Sequence, residues 1–128
     1  KCWGTGKALR EFLYVDDLAE ACIFILDKWH NKKEKIILDQ KGDPIYWLNV
    51  GSPFELSIKE LSSKIAKAIG YKGEILWDPT MPDGTPRKKL DTSNINSLGW
   101  EANTSIDEGI DLTLLDFEKG IKDNTLRM

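Results

Sequence analysis

The chain has 128 residues, of which 41% are hydrophobic, so it can bury one modest core and a single domain is expected. Its formal charge of -3 gives no overall positive field, which argues against DNA or RNA binding. No apolar run approaches the roughly 20 residues that cross a bilayer, and no signal peptide is evident. Cys2 and Cys22 lack a CxxC spacing, so we expect a soluble protein of the reducing cytoplasm.

The first predicted elements alternate between strand and helix. After an opening loop, residues 11–15 are aromatic and branched and predict a short strand, and Asp16 offers a helix cap. A helix should begin near Asp17. Its apolar residues recur at helical spacing and predict a buried face made of Leu18, Ala21, Cys22, Ile25, Leu26 and Trp29. A turn-rich, charged connection follows over residues 30–43, and residues 45–50 predict a buried strand.

Two capping boxes mark the later helices. The first, at residues 57–60, predicts a helix that ends at Gly70 and has a buried stripe of Ile58, Leu61, Ile65 and Ile69. Residues 74–77 predict a strand, and residues 92–98 a short helix, whereas residues 81–89 fit neither pattern. The second box, at residues 105–108, predicts a helix to about Lys119, followed by a frayed tail. The pattern indicates a small α/β unit with few short strands and three main helices.

The sequence shows no arrangement typical of catalysis or of a metal site. His30 has no neighbouring nucleophile and is expected at the surface, while Asp16 and Asp17 suit a helix amino terminus better than a metal ion. Residues 4–6, Gly-Thr-Gly, lack the third glycine and the preceding strand of the dinucleotide fingerprint. We therefore predict no catalytic, metal-binding or cofactor-binding residue in this chain.

Two loops have residue types suited to ligand recognition. Trp3 and Arg10 flank the glycine turn, so that an indole face, a guanidinium and close backbone amides are all available. Residues 82–89 place three adjacent cations after a segment constrained by proline and glycine, which suits a diphosphate. The alternatives are that Trp3 belongs to the core, that Arg10 is a surface strand residue, and that the cations are a solvated charge run.

Both loops resemble one protein family. Residues 3–19, WGTGKALREFLYVDDLA, look like the region that follows the catalytic fold of GDP-L-fucose synthases, within the extended short-chain dehydrogenase/reductases of NAD-dependent epimerase/dehydratase type. Residues 82–91, PDGTPRKKLD, followed by Leu98-Gly99-Trp100, resemble a second and narrower signature of that family. Residues 49–51, Asn-Val-Gly, also occur where the family has them.

The resemblance implies that residues 1–122 are the nucleotide-sugar-binding domain at the carboxy-terminal end of a longer enzyme, with a tail at residues 123–128. Such enzymes use NADPH to convert GDP-4-keto-6-deoxy-D-mannose to GDP-L-fucose by epimerisation and reduction. The cofactor site and catalytic residues would belong to an absent amino-terminal Rossmann domain, so the chain alone should be inactive and the parent enzyme is expected to be a homodimer. The matching substrate-binding residues are Trp3, Arg10, Asp83, Lys88 and, as a further candidate, Arg87.

Two other functions also fit the sequence. The parent enzyme could be a different nucleotide-sugar epimerase, dehydratase or reductase, because Lys89 and residues 94–96 match the family only loosely. Alternatively, the chain could be a non-catalytic module that binds a nucleotide diphosphate or a protein, although its first residue is Lys1 rather than Met. Upstream residues would separate these possibilities, because a Cys and a His near a Tyr-x-x-x-Lys motif favour fucose synthesis.

Overall fold

The computed structural model describes residues 1–29 and 36–126, which form an α/β fold. Its elements are β1 Cys2–Trp3, β2 Leu9–Glu11, α1 Val15–Lys28, β3 Glu55–Ser57, α2 Ile58–Ala68, β4 Trp77–Asp78, β5 Arg87–Lys88, α3 Ser93–Ser97 and α4 Ile106–Lys122. The expected class, with few short strands and the three main helices α1, α2 and α4, is confirmed for this part of the chain. The predicted surface position of His30 lies outside the described residues.

The chain divides into two compact units. The first comprises Lys1–Arg10, Leu56–Lys88 and Thr104–Met128, and it contains α2 and α4. The second comprises Glu11–Glu55 and Lys89–Asn103, and it contains α1 and α3. Each unit is therefore assembled from segments that are distant in the sequence.

Parallel strand pairs join the distant segments of the first unit. β1 pairs in parallel with β4, and Cys2 N donates to Leu76 O at 2.8 Å. The other sheet has the order β3-β2-β5, with β2 and β5 parallel, and Leu9 N donates to Pro86 O at 2.8 Å. Because parallel strands require a long crossover connection, these pairs bring the opening residues onto segments from the second half of the chain.

The serine caps predicted from the sequence begin α2 and α4. Ser57 Oγ accepts from Glu60 N at 3.1 Å while Glu60 Oε2 accepts from Ser57 N at 2.7 Å, which completes a capping box. Ser105 Oγ accepts from Glu108 N at 3.3 Å. Gly70 follows α2 with a φ of +65°, so the predicted left-handed helix end is confirmed. These local signals hold because each involves residues only a few positions apart.

Two helix boundaries differ from the sequence prediction. α1 begins at Val15, and its N-cap is Tyr14, which makes no side-chain capping bond, so Asp16 is not the cap. At the other end of the chain, α4 continues to Lys122 rather than ending near Lys119. Helix termini fray and depend on cap geometry, so shifts of this size follow from local hydrogen bonding.

The residues after α4 are bonded to its last turn. Thr125 N donates to Gly120 O at 3.0 Å, and Asn124 adopts a φ of 54°. The Leu126 side chain occupies the space where a Cβ on Gly120 would lie. The Thr125 N–H thereby satisfies a carbonyl that the helix end would otherwise leave unpaired.

Three strand predictions need correction. Residues 12–14 are not in a strand because β2 ends at Glu11, and the strand predicted at residues 74–77 begins only at Trp77. Residues 45–50 form no strand; instead the Asn49 side chain donates to Asp91 O at 3.0 Å. Apolar, branched sequence becomes a strand only where a neighbour pairs its backbone over several residues. Here Ile45 N donates to Ile37 O at 2.8 Å beside the isolated Leu38–Pro44 bridge, but this pairing does not extend into a strand.

The apolar core of the second unit lies around α1 and α3. Ala21 and Ile95 are completely buried, and Trp100 is 8% exposed. Partly buried side chains surround this cluster: Leu13, Phe24, Ile25, Leu48, Val50 and Ala102. Burial of these apolar side chains contributes hydrophobic stabilisation to the second unit.

The predicted buried faces of α1 and α2 are only partly correct. On α1, Ala21 is buried, whereas Leu18 and Leu26 are 44% and 73% exposed. On α2, the predicted stripe residues Ile65 and Ile69 are also exposed, at 39% and 56%. Helical spacing identifies an apolar face, but the neighbours that cover it are not encoded in that spacing.

In the described residues, no helix is long and apolar enough to cross a membrane.

Candidate functional site

The pairing of β2 with β5 places two of the predicted site cations side by side. Arg10 lies opposite Lys88 in the parallel register, and adjacent strands are about 4.8 Å apart. Residues opposite each other project from the same face of a sheet. Because like charges in this arrangement repel, an anion bound across Arg10 and Lys88 would stabilise the pair.

Backbone carbonyls hold the Arg10 guanidinium in a fixed orientation. Nη1 donates to Leu9 O at 2.6 Å, and Nη2 donates to Thr85 O at 2.7 Å. A guanidinium has five N–H donors in one plane, so these two bonds fix the plane and leave further donors for a ligand. The sequence indicated the charge of Arg10 but not the residue that orients it.

The other cations of the predicted run have different surroundings. Arg87 precedes Lys88 in β5, and since successive residues of a strand point to opposite faces, Arg87 projects from the other face. Lys89 belongs to the second unit, where its Nζ donates to Pro53 O at 3.0 Å and lies 3.7 Å from Glu55 Oε2. In the parallel register, Lys88 is thus the residue opposite Arg10, and Arg87 is the residue opposite Leu9.

Trp3 lies at the surface. Its side chain is 70% exposed, and in β1 the residue is opposite Asp78. Within the described residues, Trp3 therefore lies outside the apolar core. An exposed indole provides a flat face on which a planar or apolar group of a ligand can stack.

Asp83 binds the turn at residues 4–6, which we call the glycine loop. Its Oδ1 accepts from Thr5 N at 2.5 Å and from Gly6 N at 3.3 Å, and its Oδ2 accepts from Thr5 Oγ1 at 2.7 Å. The hydrogen bond from the Thr5 hydroxyl, with that from the Thr5 amide, lowers the pKa of Asp83 below its ordinary value. The carboxylate expected to accept from a ligand is therefore already bonded within the protein.

Close packing explains the two glycines of the glycine loop. Gly4 and Gly6 have φ values of +75° and +72°, a region that disfavours other residues. A Cβ on Gly4 would meet the Asp83 carboxylate, and one on Gly6 would lie 2.7 Å from the Trp77 ring. The glycines make room for neighbouring side chains of the same chain.

The glycine loop does not fit a dinucleotide cofactor. Such a cradle requires a helix amino terminus directly after the glycines, whereas here the strand β2 follows, and Asp83 occupies the loop amides. Among the described residues there is also no group of three or more His, Cys, Asp or Glu side chains that could hold a metal ion.

The interactions of Thr5 and Thr85 were not predicted from the sequence. Thr5 is 78 positions from Asp83, and Thr85 is 75 positions from Arg10, so no local spacing connects either pair. Co-variation of Thr5 with Asp83 among relatives is the kind of signal that reveals such a contact.

Comparison with known proteins identifies the family. The model of the NAD dependent epimerase/dehydratase family matches residues 1–38. A putative GDP-L-fucose synthase 2 from Arabidopsis thaliana is 43% identical over 87% of this chain and 30% of its own length. The GDP-L-fucose synthase of Escherichia coli (strain K12) is 40% identical over 84% of this chain and 32% of its own length. The chain belongs to the NAD-dependent epimerase/dehydratase family.

Solved structures of the family share the fold. A GDP-mannoheptose C4 reductase from Campylobacter jejuni with NADP bound superposes with a TM-score of 0.73 at 29% identity, over 91% of this chain and 33% of the reductase. The expected similarity to GDP-L-fucose synthases and to the extended short-chain dehydrogenases is confirmed. The chain spans about 30% of the length of the curated relatives that it matches.

Proposed function

We propose that residues 1–122 form the substrate-binding part of an NADPH-dependent epimerase-reductase that converts GDP-4-keto-6-deoxy-D-mannose to GDP-L-fucose. The observation that carries this proposal is the parallel register that sets Arg10 opposite Lys88. A nucleotide diphosphate carries adjacent anionic oxygens, which match one oriented guanidinium beside one ammonium. The 40% to 43% identity to GDP-L-fucose synthases supports this family of substrates.

Each proposed binding residue has a separate task. Arg10 donates parallel hydrogen bonds to the diphosphate from a guanidinium that Thr85 O holds in place. Lys88 adds a point charge, and the exposed indole of Trp3 stacks on the base or the sugar. Arg87 contributes to the positive field at long range, because its position in β5 directs it to the other face of the sheet.

The cofactor and the chemical step belong to a part of the enzyme outside these residues. The glycine loop does not fit NADPH, whereas relatives of about three times this length include a structure with NADP bound. On α1, Ile23 and Leu26 are 68% and 73% exposed, which supports packing against an amino-terminal Rossmann domain of the same polypeptide. Cys2 and Cys22 are free thiols, in keeping with the proposed cytoplasmic location.

A second candidate is a reductase that acts on another GDP-linked keto sugar. The structural similarity to a GDP-mannoheptose C4 reductase favours it. Both candidates use the same diphosphate contacts at Arg10 and Lys88, so they differ in the sugar and in whether epimerisation precedes reduction.

One assay tests both candidates. The full-length polypeptide that contains these residues is incubated with GDP-4-keto-6-deoxy-D-mannose and NADPH in deuterium oxide. We expect NADPH oxidation and a GDP-L-fucose product with deuterium at C3 and C5, because each epimerisation exchanges a carbon-bound proton with solvent. Reduction without deuterium at these carbons would support the second candidate.

The assay needs two controls. An active GDP-L-fucose synthase must oxidise NADPH under the same conditions, and the 128-residue chain alone should oxidise none. Absence of turnover by the full-length polypeptide, with the control enzyme active, would exclude the proposed function.

A further inference from the structure

The Asp83 carboxylate joins two loops of the first unit. All three of its hydrogen-bond donors lie in the glycine loop, namely Thr5 N, Thr5 Oγ1 and Gly6 N. Asp83 itself lies in the turn at residues 82–86, which we call the proline loop. Two successive amides directed at one oxygen form a small anion-binding nest, and here the anion is a side chain of the same protein.

The proline loop also contains the carbonyl that orients Arg10. Thr85 O accepts from Arg10 Nη2 at 2.7 Å, only two residues from Asp83. Between them, Gly84 has a φ of +74° and no atom within 4 Å of where a Cβ would lie. Gly84 itself has no side chain to hold the proline loop, so the loop is held by hydrogen bonds at Asp83, Thr85 and Pro86, whose carbonyl accepts from Leu9 N at 2.8 Å.

Backbone bonds hold the two ends of the glycine loop, which leads into β2. Gly4 N donates to Asp78 O at 2.9 Å on one side of the glycine loop, and Lys59 N donates to Gly6 O at 2.9 Å on the other. Trp3 ends β1 and is joined directly to this loop, so the backbone that carries its indole continues into the loop. Asp83 thus links the segment that carries Trp3 to the segment that orients Arg10.

We propose that Asp83 is a positioning residue of the nucleotide-sugar site, which holds the glycine loop and the proline loop together so that Trp3 and Arg10 keep their places, and does not itself contact the ligand. This inference rests on the proposed function. It assigns the diphosphate to Arg10 and Lys88 and leaves the loop amides of Thr5 and Gly6 to Asp83.

Five variants of the full-length polypeptide test the inference by calorimetric titration with GDP. Asp83→Ala removes every bond to the glycine loop and should weaken GDP binding about tenfold or more, within the range for lost charged hydrogen bonds. Asp83→Asn should stay within about threefold of the original affinity, because its amide can still accept from the loop amides and donate to the Thr5 hydroxyl.

The combination with Thr5→Val separates positioning from direct contact. Thr5→Val removes only the hydroxyl donor to Asp83 Oδ2. If Asp83 acts through Thr5, adding Thr5→Val to Asp83→Ala weakens GDP binding no further, whereas a ligand-contacting Asp83 gives additive losses. Asp39→Ala is the matched control, since Asp39 also accepts two backbone N–H bonds, from Lys41 and Asp43, but in the second unit.

Amide hydrogen exchange provides a readout that does not depend on GDP. In Asp83→Ala, the Thr5 and Gly6 amides should exchange at least about tenfold faster, and in Asp83→Asn they should stay protected. If GDP does not bind the unaltered polypeptide, the proposed function fails while the exchange result still decides whether Asp83 holds the loop. Additive affinity losses, or unchanged exchange at Thr5 and Gly6 in Asp83→Ala, would overturn the inference.

Discussion

Each of the two units of the chain is stabilised internally by a different kind of interaction. The second unit has a small apolar core in which Ala21 and Ile95 are fully buried and Trp100 nearly so. Among the described residues of the first unit, the buried hydrophobic side chains are Ala8 and Leu56, and its loops are joined by parallel strand bonds and by the Asp83 carboxylate. Substitutions in the second unit should therefore affect mainly stability, and those in the loops of the first unit mainly binding.

Removal of a buried side chain from the second unit should cause the largest change. Ile95 is completely buried, so Ile95→Ala leaves a cavity and should lower the free energy of unfolding by about 2–5 kcal/mol. Chemical denaturation measures the change. The matched control is Ile69→Ala in the first unit, where the side chain is 56% exposed and the expected change is within about 0.5 kcal/mol. If Ile95→Ala and Ile69→Ala lower the free energy of unfolding equally, stability does not depend mainly on the core of the second unit.

Loss of the oriented guanidinium should affect binding rather than stability. Arg10→Ala should weaken GDP binding to the full-length polypeptide by about 1.5–3 kcal/mol, because a charged hydrogen bond to the diphosphate is lost. Arg10→Lys should not restore the affinity, since an ammonium cannot reproduce the planar bonds to Leu9 O and Thr85 O. Calorimetric titration gives both affinities, with the exposed Lys72→Ala as the control cation. An unchanged affinity for Arg10→Ala would remove Arg10 from the site.

The capping box of α2 should stabilise the first unit to a smaller extent. Ser57→Ala removes the acceptor for Glu60 N and should lower the free energy of unfolding by about 1 kcal/mol. Ser63→Ala is the matched control, because its hydroxyl donates to Lys59 O within the helix and caps nothing. Thermal unfolding of both variants measures the difference in stability. If Ser57→Ala and Ser63→Ala lower the stability equally, the capping bonds of Ser57 contribute no more than the Ser63 hydroxyl.

Acid should weaken the loop connection of the first unit. The bonds from Thr5 lower the pKa of Asp83 below its ordinary 3.8, so the unfolded chain takes up the proton first as the pH falls. This contribution to stability is thus present above about pH 4 and is lost as the pH falls through the folded pKa. Denaturation at several pH values should show that Asp83→Asn, which cannot ionise, lacks this component. If the difference in the free energy of unfolding between the original protein and Asp83→Asn stays constant down to about pH 3, the ionised Asp83 carboxylate does not contribute to stability in this way.

Local signals allowed part of the fold to be predicted. The capping bonds at Ser57 and Ser105 and the left-handed Gly70 were all correct, because each depends on residues a few positions apart. The strand predicted at residues 45–50 was wrong, since a strand requires a partner that the segment itself does not specify. The short strands β1 and β5 were missed for the same reason, as both form only by pairing with distant segments.

For the candidate site, the sequence by itself indicated the chemistry that is available: the Trp3 indole, the Asp83 carboxylate and the three cations Arg10, Arg87 and Lys88, on two loops suited to a nucleotide diphosphate. The tertiary structure decided how these groups are used. It placed Arg10 opposite Lys88 and Arg87 opposite Leu9 in the parallel register, and it bonded Asp83 to the glycine loop. The physical reason is that residue type sets charge and hydrogen-bonding capacity locally, whereas these contacts join residues that are 75 or more positions apart and exist only after the parallel strands pair.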